Sequence, residues 1–213
     1  MSRVTVLGGT GYAGAAIARV AAERGHEVVT VSRTAPAEPV AGVRHLAGSA
    51  TDEAVLREAI TGADVVVASL APRGELAGLL RGVYRDVARI AAEHGARLIV
   101  VGGFSTLRPA PGAPRFVEGD GVPEAFAAEA AEVAAVLDDL AATPDSLDWA
   151  FVSPAASFGS YVPAEATGRY RIGGEIAQDD GGAPLPVDDF AAAILDLAES
   201  ESLGRAHRSV VVG

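Results

Sequence analysis

Val4-Thr5-Val6-Leu7-Gly8-Gly9-Thr10-Gly11-Tyr12-Ala13-Gly14 passes from a β-branched run through a glycine cluster into an alanine-rich stretch. The spacing satisfies G-x-G-x-x-G from Gly9 and G-x-x-G-x-x-G from Gly8. Without Cβ atoms the turn can bend sharply, and its amides can approach a pyrophosphate closely. The helix that follows, starting near Tyr12 and Ala13, turns its positive end toward the same anion. A second strand-like run, Glu27–Ser32, completes a βαβ unit, the context in which such glycines mark a dinucleotide site. A tight strand-to-helix turn with no ligand is the competing reading.

The end of that second run bears on the choice of dinucleotide. Sites that prefer NAD place an Asp or Glu there, to accept from the ribose 2′-hydroxyl. Here the chain reads Val31-Ser32-Arg33, with no acid before Glu38. The planar fork of Arg33 suits a 2′-phosphate, and Ser32 adds a hydroxyl. NADP(H) is therefore expected over NAD(H), against the alternative that Arg33 is a solvated surface cation.

Composition narrows the class. A net charge of −11 disfavours a nucleic-acid surface, which needs clustered cations. With no cysteine there can be no disulfide, thiol nucleophile or zinc thiolate site. The four histidines, His26, His45, His94 and His207, show no metal-ligand spacing, and no metal is expected. No signal-peptide pattern precedes Val4, and the longest apolar run, around Val65–Ala68, is too short to cross a bilayer. The expectation is a cytoplasmic protein with a small-molecule partner, monomer or homodimer, away from membranes.

Beyond the glycine loop, short apolar runs alternate with longer amphipathic stretches, the pattern of a parallel sheet covered by helices. Strands are predicted at Val4–Leu7, Glu27–Ser32, Val43–Leu46, Asp64–Ala68, Arg97–Val101 and Asp148–Val152. Helices are predicted at Ala13–Arg24, Asp52–Ile60, Leu76–His94, Pro123–Ala142 and Asp188–Glu199. The fold class is α/β, a Rossmann-type doubly wound parallel sheet in one domain over 1–213, with a small C-terminal substrate-loop region. Residues 102–122 and 153–186 break the alternation with Gly and Pro, and a short hairpin is expected around Gly168–Ile176. Both segments follow strands at the ligand-binding side of the sheet, so they are the expected substrate-facing walls.

These residues resemble the atypical short-chain dehydrogenase/reductases, of the NADH-flavin reductase and biliverdin reductase B type, also described as NmrA-like. The resemblance is carried by Gly8–Gly14, Arg33, Ser69-Leu70-Ala71-Pro72-Arg73 after the fourth strand, and Val101-Gly102-Gly103-Phe104-Ser105. Asp148–Ala156, Gly168–Gly173 and Val187–Ala191 strengthen it and extend it over essentially the whole chain. It implies that Arg33 contacts the 2′-phosphate and that Ser69, Leu70 and Ala71 pass under the ribose and pyrophosphate, with Arg73 near the phosphates. It also implies that Ser105 lies beside the nicotinamide and that Ser153, Pro154, Ala155 and Ala156 border its other side. Where the family often has Gly-Asp to hold the adenine amino group, this chain has Gly48-Ser49, leaving Ser49 and the Ala50 backbone as candidates.

Short-chain dehydrogenases of the usual design use Tyr-x-x-x-Lys to pass a proton to a carbonyl. The chain has no lysine, and Tyr12, Tyr84, Tyr161 and Tyr170 are followed four residues on by Ala16, Ala88, Glu165 and Gly174. A flavin asks less of the protein, since its second proton can come from water and the cofactor carries the chemistry. The reading is an NAD(P)H-dependent reductase of a flavin such as FMN, a quinone or a similar planar acceptor. Ser105 is the candidate catalytic residue, with a turn-capping role as its alternative. Phe104 and Phe158, with Phe116 and Tyr161, are candidates to stack on the acceptor and Ala155 is a candidate to touch it, although packing under loops explains the aromatic residues as well. The alternatives are an NADP(H)-binding redox sensor without turnover and, third, an epimerase- or dehydratase-like enzyme.

Overall fold

The computed structural model describes residues 1–213. Eight strands form one sheet in the order β3-β2-β1-β4-β5-β6-β8-β7. The strands are β1 (Arg3–Leu7), β2 (Glu27–Ser32), β3 (Val43–Ala47), β4 (Val65–Ala68), β5 (Arg97–Val101), β6 (Trp149–Pro154), β7 (Tyr170–Gly173) and β8 (Ala206–Val212). All neighbours run parallel except β7, which pairs antiparallel with β8. The helices are α1 (Tyr12–Glu23), α2 (Glu53–Ile60), α3 (Leu80–His94), α4 (Glu124–Ala141) and α5 (Val187–Glu199).

Apolar side chains on both faces of the central strands require helices on both faces. Leu7, Val66, Leu98 and Phe151 pack with Leu56, Val87 and Leu140 of α2, α3 and α4. Val6, Val67, Ile99 and Val152 pack with Ile17 of α1 and Phe190 and Ile194 of α5. The sheet is doubly wound, the fold expected of this alternation.

Local chemistry sets the element ends. Asp52 caps α2, its carboxylate accepting from the Ala54 amide at 2.9 Å. Pro123 and Pro186 stand directly before α4 and α5, where a missing N–H costs nothing. Asp64 and Asp148, expected inside strands, sit just ahead of them. Asp64 accepts from the Arg3 amide at 2.7 Å, and Asp148 from the Leu203 and Gly204 amides at 2.8 and 3.0 Å.

Three features depart from the sequence reading. The helix expected from Leu76 begins at Leu80, because Gly74–Leu76 forms a separate 3-10 turn and Gly78 has φ +76°. The residues around Gly168–Ile176 do not fold on themselves, since β7 takes β8 as its partner. β8 itself was not expected: Ala-His-Arg-Ser-Val-Val-Val opens with half-exposed residues and becomes fully apolar only at Val210.

Sheet order positions the site. β1 lies between β2 and β4, with Leu7 beside both Val31 and Ala68. The chain winds outward in opposite directions from this point, which opens a crevice beyond the carboxyl ends of β1, β2 and β4.

Candidate active site

The glycine loop occupies that crevice. Gly8 has φ +85°, and a Cβ there would lie 2.3 Å from the Ser69 carbonyl oxygen. A Cβ on Gly14 would lie 2.2 Å from the Gly8 carbonyl oxygen, so the helix can start against the loop only without one. The Gly8 and Gly9 amides both donate to Val31 O, at 2.9 and 3.2 Å, tying the loop to β2. The start of α1 has neither a side-chain cap nor an acidic residue in its first turn. Its open amides and positive end are what a pyrophosphate requires, so the residues fit a dinucleotide.

A cleft of about 290 Å³ extends from this loop. Gly8, Thr10, Gly11, Ser32, Arg33, Ala50, Ser69, Leu70, Ala71 and Arg73 line it, which brings these candidates from four separate stretches of the chain to one cleft. Tyr84, buried on α3, supports the wall from below. Its hydroxyl donates to Ala68 O at 3.1 Å and accepts from the Leu70 amide at 3.3 Å. Burial raises its pKa above the ordinary tyrosine value, which keeps the hydroxyl protonated in its clamping hydrogen bond to Ala68 O.

Other candidates lie elsewhere. Gly9 packs on Thr30 and faces a depression on the α1 side of β2. Tyr12 and Ala13 belong to the first turn of α1, and Tyr12 packs on Phe158 at 5.5 Å between centroids. Ser49 stands behind the cleft lining, its hydroxyl 2.8 Å from both Thr51 Oγ1 and Glu75 Oε1. Ser153 is fully buried, its hydroxyl 2.8 Å from Thr106 Oγ1 and 2.9 Å from His207 Nε2. Its side chain is thus committed to the interior, and Pro154 ends the same buried strand. Burial, then the nearby Arg115, holds the His207 pKa down to about 4, against the pull of Glu175 and together with Arg108.

The cleft also contains an acid that sequence reasoning missed. Glu75, on the 3-10 turn after β4, lines it with its carboxylate 3.7 Å from Arg33 Nε. No local signal marked it, because its partners are Arg33 and Ser49, remote in sequence.

A second cleft of about 350 Å³ lies beyond β5 and β6. Gly103, Phe104 and Ser105 form one wall, and Ala156 and Tyr161 another. The third is α4, with Phe126, Glu129, Ala130 and Val133, a helix that was not expected to contribute. Phe104 stacks on Phe116 at 4.8 Å and 22°. Two expected acceptor contacts are corrected. Ala155 is buried in the core facing α5, and Phe158 is wedged between Tyr12 and Phe190, because both follow β6 on its α5 side. Ala156, one residue further on, reaches the cleft.

The two clefts are joined by an ion pair. Arg73 Nε and Nη2 donate to Glu129 Oε2 and Oε1 at 3.0 and 2.9 Å. A larger apolar groove of about 460 Å³ runs between α3 and α4 on the outer face, away from the carboxyl ends of the strands. No cluster of three or more His, Asp or Glu side chains suited to a metal ion forms, and no helix is long and apolar enough to cross a membrane.

Comparison with known proteins agrees with this geometry. A family model described as NAD(P)H-binding matches residues 8–201. The YwnB protein of Bacillus subtilis is 31% identical over 208 residues, covering 92% of each chain. The solved structure named "a putative NADH-flavin reductase", from Streptococcus pneumoniae, is 25% identical with a TM-score of 0.86 over 100% of both chains. One named "putative epimerase", from Bacteroides thetaiotaomicron, is also 25% identical at TM-score 0.86, covering 99% of this chain and 97% of its own. Uncapped glycine loop, doubly wound sheet and full-length matches converge: this chain belongs to the NAD(P)H-binding family, as an atypical short-chain dehydrogenase/reductase.

Proposed function

We propose that the protein is a reductase that prefers NADPH and passes hydride to a flat acceptor such as a flavin or a quinone. The observation that carries the reading is the aromatic cleft joined to the dinucleotide cleft through Arg73 and Glu129. Reduced nicotinamide supplies the hydride. The glycine loop and the start of α1 hold the pyrophosphate, and Arg33 with Ser32 receives the 2′-phosphate. Phe104, Phe126 and Tyr161 offer ring faces to a planar acceptor and help exclude water. Segments 102–122 and 153–186 supply walls of the acceptor side.

Proton supply separates this reading from an ordinary dehydrogenase. No lysine is present, and Tyr84 is locked in the interior. Ser105 is the residue placed to hydrogen-bond an acceptor atom, while water delivers the proton that a reduced flavin or quinone takes up. The test is NADPH oxidation by the purified protein, followed by nicotinamide absorbance with FMN, riboflavin and quinones in turn. Acceleration by one of them is expected. Saturable NADPH binding with no acceleration across the panel would replace the reductase with a redox-sensing binding protein.

A further inference from the structure

The ribose end of the dinucleotide cleft combines two opposed charges. β2 ends Ser32-Arg33-Thr34 without an acid, and Glu38 lies in the depression on the other face of β2, with Val40 and His45. The acid missing from β2 arrives instead from the opposite side of the switch point, as Glu75 on the turn after β4. Ser49 donates to its Oε1 at 2.8 Å, and Arg33 Nε lies 3.7 Å from the same oxygen. Both contacts use Oε1, which leaves Oε2 for a ligand. At 3.7 Å the Arg33 contact is an ion pair beyond hydrogen-bond distance, so its donors are not consumed. The Arg33 and Glu75 side chains are 64% and 40% exposed, which gives both room to turn.

We propose that Glu75 determines cofactor specificity in this subsite. Its carboxylate accepts from the ribose 2′-hydroxyl of NADH, the task an acid at the end of β2 performs in NAD-preferring proteins. Toward NADPH it acts in the opposite direction. A 2′-phosphate entering beside Arg33 meets the carboxylate at close range, and Glu75 must turn away before Arg33 and Ser32 can take the phosphate. The chain therefore accepts both cofactors, and Glu75 narrows the preference that Arg33 creates. This rests on the 2′-phosphate role of Arg33 proposed above, and adds that the selection is set by a pair of residues.

Direct cofactor titration tests it without an acceptor, using the fluorescence of NADPH and NADH with the intact chain, Glu75→Gln and Arg33→Ala. Glu75→Gln is nearly isosteric on an exposed turn, and a thermal melt checks that it folds as the parent does. Removing one unit charge at about 4 Å in a water-exposed site is expected to tighten NADPH about fivefold. NADH is expected to weaken about twofold, so the NADPH-to-NADH preference rises about tenfold. If Glu75→Gln leaves that ratio unchanged, or weakens both cofactors equally, while Arg33→Ala selectively loses NADPH, Glu75 only holds the loop. The proposal then falls and the 2′-phosphate site stands. If Arg33→Ala loses no NADPH selectivity, the site and the proposal fall together.

Discussion

Arg73 and Glu129 form a two-pronged ion pair whose partners line different clefts, one beside the glycine loop and one beside Ser105. Phosphates bound at the glycine loop would compete with Glu129 for Arg73, so events in one cleft are linked to the wall of the other. Arg73 is 70% exposed and Glu129 31%, so the pair is worth about 1 kcal/mol or less to stability. Glu129→Gln should therefore leave the urea midpoint nearly unchanged while tightening NADPH about two- to fivefold, the size of a screened unit-charge attraction. A titration showing no gain would mean that Arg73 does not reach the phosphates.

The glycine loop offers a sharper test. A methyl group on Gly14 would collide with the Gly8 carbonyl, and that carbonyl belongs to the loop rather than to a flexible side chain. Gly14→Ala should move loop and helix apart, weakening both NADPH and NADH by more than tenfold. Overpacking of this kind costs about 1–3 kcal/mol, so the variant should still fold. Calorimetric titration with both cofactors reads the effect.

Phe126 allows the proposed acceptor side to be tested apart from the dinucleotide cleft. It is 56% exposed on α4 and lines only the aromatic cleft, so its loss should cost the fold little. Phe126→Ala should raise KM for a flat acceptor about fivefold, a stacking contribution of about 1 kcal/mol, with NADPH affinity unchanged. Steady-state kinetics with varied acceptor checks this. Equal effects on both substrates would place the acceptor elsewhere.

His207 predicts an acid-side loss of stability. Burial, followed by Arg115, lowers its pKa from 6.5 to about 4, so the folded protein holds it neutral where the unfolded chain is protonated. Its contribution is complete above pH 6.5 and is lost as pH falls toward 4, at up to about 1.4 kcal/mol per pH unit. His207→Gln should flatten that part of the stability-against-pH curve in urea titrations. The Ser153 and Thr106 contacts are then kept in part by the amide.

Asp189, in the first turn of α5, anchors the Thr167–Gly168 turn that leads into β7. It is 2% exposed and accepts from the Thr167 amide and hydroxyl and the Gly168 amide at 3.0, 2.7 and 2.9 Å. Asp189→Ala leaves these donors unpaired and should cost about 2–4 kcal/mol. Hydrogen exchange should show protection lost first in residues 157–169. A uniform loss across the sheet would contradict a local anchoring role.

The motif Val187-Asp188-Asp189-Phe190-Ala191 shows how far local reading reached. Its helix was legible, because Phe190 and Ala191 recur at helical spacing with Ile194. The purpose of Asp189 was not, since its hydrogen-bond partners lie about twenty residues upstream in a loop without periodicity. β8 was missed for a related reason: three of its seven residues are polar, and its strand character comes from lying between β6 and β7. Ser153 entered as a site residue through the family resemblance, whereas it lies within β6 with its hydroxyl directed inward to His207.

By itself the sequence determined the α/β alternation, the glycine loop and the cation at the end of β2, because each is encoded within a few neighbouring residues. Tertiary structure decided which charges share the clefts: Glu75 with Arg33, and Glu129 with Arg73. The reason is physical. Backbone preferences act over one turn or one strand, whereas the field at a binding site is summed over side chains that only folding brings within a few ångströms.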